Sequence, residues 1–188
     1  MRSLLTGCCL LTTLLSSAAL ATPPFSIEGL HLDLSSTAAI DRATELGGVC
    51  AADPRRRAGD DYRVHCEYLP CLERSAAGDC RKPDRSKPRL NIAGQMVVRI
   101  ALEAASEDAP LQRIAILFEG DHSAMADALV KDYGEPVAHG TQGEQSWTHA
   151  RRISWSQAGY RLGLLNSPHL IILAKDPAAE PATPATTP

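Results

Sequence analysis

The sequence predicts an α+β fold in which two helices pack on an antiparallel β-sheet, stabilised by disulfides. Three observations carry that expectation. Apolar and polar residues alternate with period 2 near 62–68, 96–103 and 114–118, as half-buried strands require. Two segments, at 35–48 and 121–136, place helix-start and helix-stop residues around an apolar stripe. Four cysteines, Cys50, Cys66, Cys71 and Cys80, follow an N-terminal leader.

The chain has 188 residues, 44% of them hydrophobic and 4% aromatic, with a net charge of −3. This length suits one domain with room for a core. A balance so close to neutral argues against a nucleic-acid partner, which calls for a strongly basic surface. Met1-Arg2 opens the chain with a positive charge, Leu4 to Leu20 is mostly Leu, Ala, Thr and Ser, and Ala19-Leu20-Ala21 has the small-x-small form of a cleavage site. Residues 1–21 therefore read as a signal peptide, cleaved near Ala21, and the protein as periplasmic or secreted. No segment of the mature chain approaches the roughly 20 apolar residues of a membrane span. Leu5-Thr6-Gly7-Cys8 has the outline of a lipoprotein box. Its apolar stretch follows the cysteine instead of preceding it, so soluble export is the better reading.

An exported chain meets an oxidising compartment, where an even number of cysteines reads as disulfides. Four cysteines allow three pairings. Local closure favours Cys50–Cys66 and Cys71–Cys80, and a loop of about 15 residues is worth roughly 3 kcal/mol. The spacing C-x15-C-x4-C-x8-C lacks the paired short knuckles of a zinc site.

The elements follow in order. A short strand is predicted over Ile27–Leu32. Ser35, Ser36 and Thr37 can cap a helix running to about Leu46, with Ala39, Ile40, Ala43 and Leu46 on one side and Gly47-Gly48 as its stop. Residues 50–61 and 71–88 are polar and turn-rich and read as irregular. Between them Tyr62, Val64, Cys66 and Tyr68 alternate with Arg63, His65 and Glu67 until Pro70. Met96, Val98, Ile100 and Leu102 are expected to share one face of a strand, hairpinned to Ile114, Ile116 and Phe118. Asp121 caps a second helix whose stripe is Met125, Leu129 and Tyr133, closed by Gly134 and Pro136. A meander ends the fold: Trp147–Trp155, Tyr160–Leu165 and Leu170–Ala174. A faint internal echo suggests two β-α-β-β units. Residues 22–175 form a single α+β domain on this reading. Residues 176–188, with four prolines and no large apolar side chain, form a flexible tail.

The stretch Ala128-Leu129-Val130-Lys131-Asp132-Tyr133-Gly134-Glu135-Pro136, followed ten residues on by Trp147, resembles a pattern in small exported bacterial proteins. These are the SmpA/OmlA-like lipoproteins and the beta-lactamase-inhibitor-like domains. The resemblance implies two helices against an antiparallel sheet, and a role in binding a protein partner. The chain differs from the lipoproteins in having no well-placed lipidated cysteine and four mature ones.

Chemical motifs are sparse. No G-x-S-x-G, G-x-x-x-x-G-K, H-E-x-x-H or C-x-x-C occurs, and none of the six histidines forms an i, i+4 pair on a helix. No cofactor and no metal is implied. Glu119, Asp121 and His122 cluster at a strand-to-helix junction, the best candidates for a hydrolase site. From Cys50 to Leu90 there are ten Lys and Arg against seven Asp and Glu, whereas the rest of the mature chain is acidic. Within that region Arg81, Lys82, Arg85, Lys87 and Arg89 are the candidate binding residues, since arginine favours carboxylate and phosphate partners. The expected function is an exported, non-enzymatic binding module for an envelope or exported protein. The alternatives to it are a periplasmic hydrolase with a site assembled around Glu119, Asp121 and His122, and a binder of anionic glycan or lipid through the basic 81–89 loop.

Overall fold

Alternating burial along five of the six long strands, with β10 buried continuously from Leu162 to Leu164, builds one mixed-width antiparallel sheet. The computed structural model describes residues 23–54, 60–76, 80–139 and 152–175. In chain order the elements are α1 (Ser36–Glu45), β1 (Val49–Ala52), β2 (Tyr62–Glu67), β3 (Cys71–Arg74), β4 (Cys80–Pro83), β5 (Asn91–Ile92) and β6 (Gln95–Ala104). There follow β7 (Leu111–Glu119), α2 (His122–Tyr133), β8 (Ala138–His139), β9 (Arg152–Gln157), β10 (Tyr160–Asn166) and β11 (His169–Lys175). The sheet order is β1-β2-β6-β7-β11-β10-β9-β8, with β5 beside β6, and β3 and β4 form a separate ribbon.

This architecture corrects the expected fold class. The described residues are 48% strand and only 17% helix, a sheet carrying two short helices. The segments read as irregular are where the extra strands lie: β1 opens the first and the β3–β4 ribbon occupies the second. Ile27–Leu32 is not a strand. Its backbone turns back on itself, Ile27 and Leu30 exchanging hydrogen bonds of 3.0 and 2.9 Å, with Glu28 and Gly29 at positive φ. The first of the two expected β-α-β-β units therefore lacks its leading strand.

The helices form where their caps said they would. Ser35 Oγ accepts from the Ala38 N–H at 3.2 Å, and Ala39 and Ala43 are fully buried. Asp121 accepts from the Ser123 N–H at 2.8 Å, and Met125, Ala126 and Leu129 face the core. Gly134, at φ 79°, ends α2 in a conformation that favours glycine. Both helices cover the same sheet face, against Val64, Ile100, Leu102, Ile114, Ile116, Leu162, Leu164, Ile171 and Leu173. The Ser36 hydroxyl donates to the Glu107 carbonyl, tying the start of α1 to the β6–β7 turn.

One local feature departs from simple alternation. Val97, not Met96 or Val98, points into the core, because β6 bulges between Val97 and Arg99 opposite Phe118 and Leu117. An extra residue in one strand reverses the facing of those before it. The tyrosine of the Y-G-x-P stretch packs edge-on against Phe25 and shares hydrogen bonds with the Ser26 backbone. The indole that meets this helix end is Trp155, whose Nε1 donates to the Gly134 carbonyl at 2.7 Å. Trp147 lies outside the described residues, as do residues 1–21 and 176–188.

Both favoured disulfides are present. Cys50–Cys66 joins directly opposed residues of β1 and β2, and Cys71–Cys80 closes the β3–β4 ribbon. Replacing both Cys50 and Cys66 by alanine is expected to lower the unfolding free energy by about 3 kcal/mol, read from urea denaturation. A loss below about 1 kcal/mol would show that β1 is held by its ladder alone.

Candidate binding surface

The helices leave the second face of the sheet without a described helix over it. Its side chains follow from the register. A row runs across the strands through Ala51, His65, Ala101, Ala115, Ile172, Gly163 and Ser154. The neighbouring row places Leu117, Leu170 and Leu165 side by side, all partly exposed. This apolar centre has charged borders. Arg99 donates to Glu67 at 2.6 Å, and Glu103 lies between Arg63 at 3.1 Å and Arg113 at 3.8 Å. On β9 and β10 the same face carries Arg152 and Arg161, and those two strands contain no acidic residue.

At the β1 end, the bare face meets the ribbon in a cleft of about 480 Å3. Its floor includes His65, Glu67 and Arg99, and its wall includes Cys71, Arg74, Cys80 and Pro83. His65 Nε2 lies 3.8 Å from Asp53. Both disulfides brace this corner, one in the sheet and one in the ribbon. Val49 in the cleft is 50% exposed and Leu72 on the ribbon 62% exposed, two of the large apolar side chains most open to water.

The five basic residues singled out in the sequence separate into two groups. Arg85 grips Glu119 with two hydrogen bonds of 2.8 and 2.9 Å, which holds the Glu119 carboxyl below its usual pKa and raises that of Arg85. Arg89 donates to the Gly47 carbonyl at 3.3 Å. Arg81, Lys82 and Lys87 are exposed, the first two on β4. The loop is thus partly spent on fastening the ribbon segment to the body.

Glu119, Asp121 and His122 do not join into a hydrogen-bonded group. Glu119 is paired with Arg85, Asp121 caps α2, and His122 turns inward to a position 5% exposed. Neither ring nitrogen of His122 has a hydrogen-bond partner. Its ring lies 6.1 Å from that of His169, which stacks on Phe118. Among the described residues, no group of three or more His, Cys, Asp or Glu is arranged to hold a metal, and no helix is long and apolar enough to cross a membrane.

The residues that sequence reasoning passed over are those of the bare face. His65 and Glu67 fall on the polar side of the β2 alternation, and no motif in the sequence marks Arg113, Arg152 or Gly163. A signal was available in β7 and β11. Their runs Ile114-Ala115-Ile116-Leu117-Phe118 and Leu170-Ile171-Ile172-Leu173-Ala174 are nearly continuous apolar sequence, the composition of strands covered on both sides.

The chain matches no protein-family model, no curated protein and no solved structure.

Burial, reinforced by His169, holds the His122 pKa below the ordinary 6.5, against a smaller upward pull from Asp121. The unfolded chain therefore takes up this proton first as pH falls. Its contribution to stability is complete above about 6.5 and is lost as pH drops toward the folded-state value. Thermal melts are expected to show the melting temperature falling below about pH 6.5. His122→Leu should flatten that slope, and an unchanged slope in the variant would assign it to another group.

Proposed function

We propose that the protein is an exported, non-enzymatic binding module that engages a protein partner of the cell envelope through the bare face of its sheet. One observation carries this reading. Strands β7 and β11 have the apolar composition of strands buried on both faces, yet the described helices cover only one. Leu117, Ile172, Leu165 and Leu170 are left as a partly exposed patch with arginines at its borders. An apolar centre with an Arg-containing rim is the composition of protein interfaces. The cleft between the β1 edge and the ribbon adds a braced pocket at one end of the same face.

Export rests on the leader sequence, and the resemblance of the Tyr133-Gly134-Glu135-Pro136 stretch to exported binding proteins agrees with it. A hydrolase centred on His122 has less support, because its imidazole is buried without a polar partner while Glu119 and Asp121 are engaged elsewhere.

Photo-crosslinking amino acids placed at Leu117 and Ile172 test the reading in the native envelope. Both positions are expected to capture the same protein, while the exposed α2 positions Asp127 and Lys131 capture none. Equal capture from α2, or no capture from the sheet, would overturn it.

A further inference from the structure

Strand β1 ends the sheet, so one of its two edges has no neighbouring ladder. The register shows which groups that edge presents. The Asp53 N–H donates to the Arg63 carbonyl at 2.9 Å, so Asp53, Ala51 and Val49 direct their backbone groups toward β2. Cys50 and Ala52, which alternate with them, direct theirs outward. Among the described residues, nothing bonds those N–H and C=O groups. Proteins blunt an open edge with charges, proline or a bulge. Val49–Ala52 holds no charged residue and no proline, and its pairing with β2 runs without a register shift. The Cys50–Cys66 disulfide fixes the strand to its neighbour, so the edge is presented as a rigid template.

We infer that the β1 edge is the seat of a second copy of this chain, joined antiparallel about a two-fold axis at Ala51. The outward groups select this arrangement. With Ala51 facing Ala51 of the second copy, Cys50 falls opposite Ala52 and Ala52 opposite Cys50. Each such pair exchanges two hydrogen bonds, so the outward groups of both copies are satisfied at once. The contact is isologous and closes on itself, leaving neither β1 edge open. It does not depend on the binding partner proposed above.

Size and charge agree with this occupant. The axis falls on a non-hydrogen-bonded pair, where Cα atoms approach to about 4.5 Å. Alanine is small enough for that approach, and Ala51 and Ala52 are both exposed. No like charges meet across the seam, because Val49 to Ala52 are all uncharged and Val49 falls opposite Asp53. Val49, 50% exposed in the single chain, gains a cross-strand neighbour. The ribbon stands over the strands, since the cleft it walls includes Glu67 of β2 and Val98 and Arg99 of β6. An acidic or basic foreign segment finds no charge on this strand to select it. In the pair the two bare faces join into one surface.

Three measurements on the oxidised protein test the seat. Ala51→Cys is expected to give a disulfide-linked dimer on a non-reducing gel, because the facing Cα atoms lie within disulfide range. Asp127→Cys, exposed on α2, controls for random collision and should stay monomeric. In the unaltered protein, amide hydrogen exchange at Cys50 and Ala52 should slow at least about fivefold as concentration rises. Exchange at Val49 and Ala51, whose N–H groups already bond β2, should not change. Sedimentation should show concentration-dependent dimers that Ala51→Arg abolishes by setting two cations face to face. If the added thiol displaces a native disulfide, exchange and sedimentation decide alone. A monomer at every concentration, with no cross-linking beyond that of Asp127→Cys, would overturn the seat. So would dimers that Ala51→Arg leaves intact. Slowed exchange at Cys50 and Ala52 only on adding envelope proteins would also overturn it, assigning the edge to a foreign segment.

Discussion

The pairing of β6 with β7 holds two halves of the sheet together, since no other strand ladder among the described residues crosses between residues up to Ala104 and those from Leu111 onward. Ile100 lies beside Ile116 and Leu102 beside Ile114, all four buried. A slip of one residue would turn a whole set of side chains to the other face. Each such side chain gains about 1.5–3 kcal/mol from burial, so the register is strongly specified. The bulge at Val98 fits within this constraint. It lets Val97 join the core while Arg99 stays on the bare face and reaches Glu67.

Once that register is set, the placement of the helices follows. Each half supplies a helix followed by antiparallel strands, β1-β2-β6 in the first, with β3 to β5 inserted before β6, and β8-β9-β10-β11 in the second. Both helices bury small residues, Ala39 and Ala43 in α1 and Ala126 beside Met125 in α2, which lets them lie close to the strands. Polar contacts then fasten the periphery to this centre. Tyr68 donates to the Ala43 carbonyl at 2.9 Å inside the core, and burial raises its pKa. Tyr160 reaches Asp33 at 2.5 Å, and Trp155 reaches Gly134. These bonds join elements that no ladder joins. With the apolar surfaces of both helices spent on one side, no described helix remains to cover the other.

Local chemistry was legible in the sequence and relative placement was not. Ser35 and Asp121 announced their helices because a cap is a contact between near neighbours. The alternation from Tyr62 to Tyr68 survived because β2 has no bulge, and local closure anticipated both disulfides. The alternation from Met96 to Val98 misled, since a bulge depends on the partner strand and leaves no mark in the bulged one. Ile27–Leu32 carried the apolar spacing of a strand, but positive φ at Glu28 and Gly29 closes it into a turn. The ribbon was hidden by its charge, as its strands are stabilised by a disulfide rather than by burial. The bare face was the least legible, because Arg63, Arg113 and Arg161 lie far apart in the chain and only the register brings them to one surface.

That surface also divides the charge of the molecule unevenly. Under the β2–β6–β7 strands, arginines and glutamates alternate in direct pairs, so their fields largely cancel at short range. On β9 and β10 the same face carries Arg152 and Arg161. Covering Arg99–Glu67 or Arg63–Glu103 would strip water from ions that already have partners, a change with little net gain. On the proposed reading, apolar contact over Leu117 and Ile172 would then supply the affinity.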